Sequence, residues 1–337
     1  MKEVKDQLKV GVIGLGRIGK VHLENLVYRI PEAMVVAAST PSDTGYDFAK
    51  NLGIKEIYQD SLKVIQHADI EAVILCGPTN THLPHIKAAA KAGKHIFCEK
   101  PLELTVKKIE RIHKMVNKAK VKLQVGFNRR FDPNFAAVQQ QVSAGKIGDP
   151  HILKITSRDP APPPIKFIKV SGGLFMDMTI HDFDMARFIV GSEVVEVFAK
   201  AAVRVDKAIG KAGDIDTAVI TLKFSNGCLA VIDNSRQAVY GYDQRLEIFG
   251  SKGMSKIENT YADTQQFYDK KGSHRGLPYN FFMDRYTESY CKEMSAFINS
   301  VKNNQLIIGG VHDALMATKI AIAANESVRK NKPVKIK

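Results

Sequence analysis

No apolar run in this sequence approaches the roughly 18 residues that a membrane-spanning helix needs, so no spanning segment and no membrane partner are expected. The first apolar stretch is a glycine motif rather than a signal-peptide core, and no secretory leader is expected. The four cysteines, Cys76, Cys98, Cys228 and Cys291, stand far apart with no CxxC pair. That spacing excludes a cysteine-ligated metal site, and reduced thiols in the cytoplasm are the simplest account. Internal repeats and low-complexity tracts are absent, which excludes solenoid and disordered architectures. Missing too is any basic stripe interleaved with aromatics, or a recognisable nucleic-acid module. The net charge of +14 therefore reads as solvated surface, modestly concentrated in an exposed tail at 329–337, with no nucleic acid as partner. The excess helps to attract an anionic dinucleotide.

What is present begins with Val10-Gly11-Val12-Ile13-Gly14-Leu15-Gly16-Arg17-Ile18-Gly19. A β-branched run ends in G-x-G-x-x-G, and an amphipathic helix follows at once. Gly14 allows the tight turn out of the strand, Gly16 lets a pyrophosphate approach the backbone, and Gly19 lets the helix lie close to the strand. The helix N-terminus, with Arg17 and Ile18, then faces the phosphates. A length of 337 residues suggests two domains, a dinucleotide-binding domain at 1–128 and a second at 129–337.

A second strand runs over 34–39. Where such a unit normally carries an acid for the adenosine ribose, this chain has Ser39-Thr40-Pro41-Ser42. A carboxylate about 4 Å from a 2′-phosphate would repel it by several kcal/mol at an effective dielectric of ~20. With Thr40 and Ser42 there and Arg17 in the glycine loop, NAD is expected with room left for NADP. A buried strand over 71–76 leads into Thr79-Asn80-Thr81-His82, placed where parallel sheets bind ligands. Thr79 and Asn80 are cofactor candidates, with helix capping at Asn80 or Thr81 the alternative. His82 reads as structural unless the cofactor reaches it. The strand over 95–98 is again followed by polar residues, Glu99-Lys100-Pro101.

These three motifs, in this order, resemble the Gfo/Idh/MocA family of nicotinamide-dependent sugar and polyol oxidoreductases. The resemblance implies that Lys100 reaches substrate and nicotinamide, that Glu99 and His82 lie at the cofactor, and that the Lys100-Pro101 peptide can be cis. Read without it, Lys100 is a surface lysine. Next, Asn128-Arg129-Arg130-Phe131-Asp132 forms a hinge in which one arginine lines the polyol site, Arg129 being favoured, while the other makes a salt bridge. The proline tract after Asp159 reads as a stiff loop at the edge of the site, with Asp159 a substrate contact.

Gly172-Gly173-Leu174-Phe175-Met176-Asp177-Met178-Thr179-Ile180-His181-Asp182 is the second chemical centre. Asp177 and His181 are four apart, so on a helix they share a face. A carboxylate beside an imidazole suits proton transfer at an alcohol; a hydrogen-bonded core pair is the bland alternative. The G-G-x-x-x-D-x-x-x-H-D pattern resembles the same family's catalytic helix. By that resemblance Asp177 and His181 join Lys100 as catalytic residues, with His181 the proton acceptor and no metal required.

From Val194 onward the pattern changes to alternating strands. Ser225-Asn226-Gly227 and Gly250-Ser251-Lys252-Gly253 mark hairpins, so the second domain is expected to be α+β with a large, mostly antiparallel open sheet. By the resemblance that sheet mediates a homo-oligomer, a dimer or tetramer. Val239-Tyr240-Gly241-Tyr242-Asp243, together with Arg129-Arg130-Phe131-Asp132, is similar to the inositol dehydrogenase branch, which implies Tyr240 or Tyr242 at the polyol. The loop 261–284 carries no usable pattern. Helices over 286–301 and 312–329 close the chain, the last expected to pack back on the first domain. The implied activity is oxidation of a ring alcohol of myo- or scyllo-inositol. Another sugar or polyol dehydrogenase and a nucleotide-sensing regulator are the rivals.

Overall fold

A computed structural model describes residues 7–336. The chain forms two compact units. One contains the residues up to Phe131 together with Glu288–Met316, and the other Asp132–Thr287 with the residues from Ala317 on. The sequence alone suggested a boundary at 128/129 and a single crossing.

In the first unit, strands and helices alternate: β1 (Leu8–Ile13), α1 (Arg17–Tyr28), β2 (Ala33–Ser39), α2 (Asp43–Asn51), β3 (Glu56–Tyr58), α3 (Ser61–Gln66), β4 (Ala72–Leu75), α4 (Thr79–Lys91), β5 (His95–Glu99), α5 (Val106–Ala119) and β6 (Leu123–Gly126). All five strand pairings are parallel, in the order β3-β2-β1-β4-β5-β6. Parallel strands buried on both faces read as continuous apolar runs, and β4 (Ala-Val-Ile-Leu) is buried at every position. Strand order reverses between β1 and β4, so their carboxyl ends open the crevice where such sheets take ligands.

The second unit opens with α6 (Pro133–Ser143), capped by Asp132, whose carboxylate accepts the N–H groups of Asn134 and Phe135. Then come β7 (Pro150–Arg158), α7 (Ile165–Ser171), α8 (Leu174–Asp177), α9 (Ile180–Val190), β8 (Val194–Ala202), α10 (Lys207–Lys211), β9 (Thr217–Phe224), β10 (Leu229–Ser235), β11 (Asp243–Gly250), β12 (Gly253–Ile257), β13 (Gln266–Asp269), β14 (Gly272–Arg275) and α11 (Phe282–Arg285). The closing helices are α12 (Thr287–Lys302), in the first unit, and α13 (Val311–Lys330), within which the division of the chain falls; β15 (Val334–Lys335) ends the fold.

Seven strands form an open sheet, β12-β11-β7-β10-β9-β8-β15, antiparallel except for the β7–β10 pair. Burial alternates along β9 and β10, so one face is core and the other open. The helices α6 and α9 pack against each other, α9 against β7 and α6 against β12. The hairpin turn at Asn226-Gly227 forms as the sequence predicts, with Gly227 at φ +90° and Asn226 Oδ1 accepting the Cys228 N–H. Two expectations change. The basic tail is exposed but not free, since β15 pairs with β8. The patternless loop contains the hairpin β13–β14, exposed throughout.

Candidate active site

At the carboxyl end of β1, Gly14 and Gly19 meet the steric demands their spacing suggests. Gly14 sits at φ +90°, and a Cβ there would stand 2.8 Å from the Gly77 nitrogen, which follows β4. A Cβ at Gly19 would lie 1.9 Å from the Gly14 carbonyl, so only glycine lets α1 pack this close. A Cβ on Gly16 would meet nothing within 4 Å, the clear approach to backbone that a pyrophosphate needs. Arg17 and Ile18 open α1, whose first N–H groups have no intrahelical acceptor. The donor set fits a dinucleotide. After β2, Ser42 is exposed, whereas Thr40 is buried and its Oγ1 accepts the Ser42 N–H at 3.2 Å. No carboxylate stands among these residues.

Beyond β4, α4 begins at Thr79 directly after Pro78. Capping at Asn80 or Thr81 is therefore not what starts it; Thr81 instead donates its hydroxyl to the Pro78 carbonyl at 2.7 Å. Thr79 is half-buried and Asn80 exposed at this first turn. His82 is buried, with Nε2 3.0 Å from the Gly77 carbonyl and Nδ1 3.1 Å from that of Pro101. Its ring thus ties the loop after β4 to the loop after β5. The Lys100-Pro101 peptide is cis. Lys100 is half-buried, and its N–H bonds to Glu99 Oε2 at 3.2 Å. Glu99 Oε1 meets His22 Nε2 at 2.8 Å, so this carboxylate points into the unit.

His22, Glu99 and Glu293 form a buried cluster that sequence reasoning missed. Neither carboxylate oxygen of Glu293 has a hydrogen-bond partner among the described residues. Burial, with the Glu99 carboxylate beside it, pushes the Glu293 pKa well above the usual range. The folded protein therefore holds a proton that the unfolded chain releases above about pH 4.5, and stability drains away as pH rises toward the folded value. Glu293→Gln is expected to come nearest the parent's Tm at about pH 5 and to exceed it by more as the pH is raised from there. Thermal melts across that range check this, and a pH-independent difference contradicts it.

Arg129 and Arg130 are both buried in a short 3-10 turn after β6. Arg130 is committed to Asp313 at 2.9 Å, the salt bridge expected of one of the pair.

In the second unit, Asp177 ends α8 and His181 lies in the first turn of α9, with Met178-Thr179 between them. The expectation of one continuous helix is corrected: the helix is interrupted at Met178-Thr179. The turn is held by β10: Thr179 Oγ1 donates to Asn234 Oδ1 at 2.6 Å, and Asn234 Nδ2 donates to Asp182 Oδ2 at 2.9 Å. Two residues along, Arg236 Nη1 donates to Asp177 Oδ2 at 2.9 Å and lies 3.4 Å from Asp159 Oδ2. The structure thus brings Asp159 and Asp177 to one guanidinium. Neither Asn234 nor Arg236 was singled out from the sequence. Their signal was available: both continue the inward-facing alternation of Ala230 and Ile232 with a polar residue where a core residue belongs.

Tyr240 and Tyr242 part company. Tyr242 is buried, its ring edge-on to Tyr286 at 6.0 Å. Tyr240 is 37% exposed, donates to Asp243 Oδ2 at 2.6 Å and accepts from Arg158 Nη1 at 3.0 Å. Burial pushes the Tyr240 phenol up, and the Asp243 hydrogen bond adds to that. Burial would also raise Asp243, but hydrogen bonds from Arg245, Tyr240 and Asn259 outweigh it and hold that carboxyl below its ordinary value. Among the described residues no helix is long and apolar enough to cross a membrane.

Known proteins place these features. The family description "Oxidoreductase family, NAD-binding Rossmann fold" matches residues 8–127, and "GFO/IDH/MocA C-terminal domain" matches 135–256. The chain is 48% identical over 330 residues to the myo-inositol 2-dehydrogenase of Thermotoga maritima, covering 98% of both chains. It is 44% identical to the inositol 2-dehydrogenase of Rhizobium meliloti, covering 98% of this chain and 99% of the relative. A solved structure of Lactobacillus casei scyllo-inositol dehydrogenase with bound NAD(H) and scyllo-inositol superposes with a TM-score of 0.91 at 35% identity, covering 98% and 99% of the two chains. The chain belongs to the GFO/IDH/MocA oxidoreductase family, and its first unit is that family's NAD-binding Rossmann domain.

Proposed function

We propose that this protein oxidises a ring secondary alcohol of a cyclic polyol, myo- or scyllo-inositol, to the corresponding inosose with NAD as acceptor. The observation that carries this reading is the near-half identity, over 98% of the chain, to relatives named for inositol 2-dehydrogenation. It is supported by the intact Lys100, Asp177 and His181 in their motifs. NAD, when bound beside Gly14, Gly16 and Gly19, supplies the acceptor for hydride from the carbinol carbon. His181 takes the hydroxyl proton as general base. Asp177, held by Arg236, fixes the orientation in which the imidazole acts. Lys100 donates to the reacting oxygen and stabilises its developing negative charge. Asp159, Arg129 and Tyr240 bind the remaining hydroxyls, while Tyr242, packed on Tyr286, serves the core.

Thr40 and Ser42, with Arg17 and no acid at the end of β2 itself, leave room for the 2′-phosphate of NADP. The test is kcat/KM across the inositol stereoisomers, glucose and xylose, with each cofactor. An inositol isomer is expected to lead. Faster turnover of glucose or xylose contradicts the substrate, and a preference for NAD above about a thousandfold contradicts the tolerance of NADP.

We infer further a homo-oligomer, dimer or tetramer, built on the open sheet face. Register aligns Met254, Phe249, Ile152 and Leu229 in one row across four strands, each between 42% and 52% exposed. An apolar row of that kind is an interaction surface, and a monomer in sedimentation equilibrium contradicts it. The unpaired thiols of Cys76, Cys98, Cys228 and Cys291 suit a cytoplasmic setting.

A further inference from the structure

Arg236 is 2% exposed, and it carries its charge into the second unit just past the end of β10. Replacing a buried ion pair by apolar side chains of similar volume is often neutral or stabilising, so burial alone does not explain a guanidinium here. Its surroundings do. Nη1 is shared between Asp159 and Asp177, at 3.4 and 2.9 Å, while Nε and Nη2 are buried with no hydrogen-bond partner among the described residues. A side chain chosen for packing would not leave two donors unmatched.

The backbone around each acid is laced to the same strand end. The Asp159 N–H donates to the Ser235 carbonyl at 2.9 Å, and the Asp159 carbonyl accepts the Ala238 N–H at 2.7 Å. The Arg236 N–H itself donates to the Asp216 carbonyl at 2.8 Å. Asp177 precedes the turn that Asn234 holds through Thr179 and Asp182. Two carboxylates from separate segments thus meet one guanidinium, and further hydrogen bonds tie both segments to the end of β10.

We infer that Arg236 is a positioning residue of the polyol site, holding Asp159 and Asp177 together as a pair of ionised acceptors for neighbouring ring hydroxyls. Two carboxylates brought to one place without a cation would repel, and one would take up a proton. A protonated acid has lost acceptor capacity toward a hydroxyl. The shared guanidinium keeps both charged, and a cyclic polyol, which offers adjacent O–H donors, is the ligand chemistry that uses two such acceptors. This rests on the proposed function and adds to it the group that makes the acids work as a pair.

The experiment compares Arg236→Met, Arg236→Lys and Asp159→Asn with the parent enzyme, reading kcat and KM for the preferred inositol, NADH affinity by fluorescence, and Tm. Arg236→Met is expected to lower kcat about a hundredfold and raise KM about tenfold, because it releases both acids, with NADH affinity within about twofold. Arg236→Lys is expected to regain at least about tenfold in kcat/KM, since it restores the charge without the fork. Asp159→Asn is expected to raise KM by a larger factor than it lowers kcat. Arg236→Met with kcat and KM within about threefold of the parent overturns the inference, and so does Arg236→Lys no better than Arg236→Met. Should the methionine variant not fold, the lysine and asparagine variants carry the same comparison, with parental kcat and KM in both as the overturning result. A parent enzyme that oxidises no inositol overturns the proposed function instead. The pairing of the acids is then read from a double-mutant cycle in Tm between Arg236→Lys and Asp159→Asn, where coupling supports it and additivity overturns it.

Discussion

His181→Ala is expected to lower kcat about a thousandfold while NADH affinity stays within about twofold, the loss typical of removing a positioned general base. The expectation is this selective because neighbouring residues hold the backbone on both sides of His181. Thr179 and Asp182 on either side are fixed by Asn234, and Phe183, just beyond, is fully buried. If His181 is the proton acceptor proposed above, truncation removes that acceptor from a standing scaffold, and Tm should move little. Steady-state rates with fluorescence titration of NADH check this. A cofactor affinity falling in step with kcat would mean that the histidine serves the fold rather than the chemistry.

Lys100→Ala is expected to cost about a hundredfold to a thousandfold in kcat, the range seen when one donor to a developing oxyanion is lost. Here too the main chain is held by other groups. The Lys100 N–H is on Glu99, Glu99 is on His22, and the Pro101 carbonyl is on His82. Lys100→Arg keeps the charge but spreads it over a planar fork, so it should recover only part of the rate. The same assays decide it, and a variant retaining more than a third of parental kcat would remove Lys100 from the reaction.

How far the sequence could be read follows from how local each cause is. The glycine loop was legible because Gly14 and Gly19 answer steric demands set within a few residues, or by the next strand in the sheet. The hairpin at Asn226-Gly227 was legible for the same reason. The break between Asp177 and His181 was not, because a four-residue spacing looks helical whether or not the helix is interrupted at Met178-Thr179. Nor was the hairpin over 266–275: both strands are exposed at every position, so no alternation marks them. His22, Glu99 and Glu293 lie far apart in the chain and meet only because α12 returns to the first unit. Arg236 stands between these cases. Polar residues at the inward positions 234 and 236 of an otherwise alternating strand could have been flagged from the sequence, as a charge placed where core was due.

The roles assigned to Lys100, His181 and the paired acids all presuppose turnover of a cyclic polyol. The most direct test mixes enzyme, NAD and one inositol isomer at a time and follows absorbance at the reduced nicotinamide band. At least myo- or scyllo-inositol is expected to give sustained formation of NADH, one per inosose produced. Cofactor binding with no absorbance change for any inositol would contradict the account and leave a nucleotide sensor in its place.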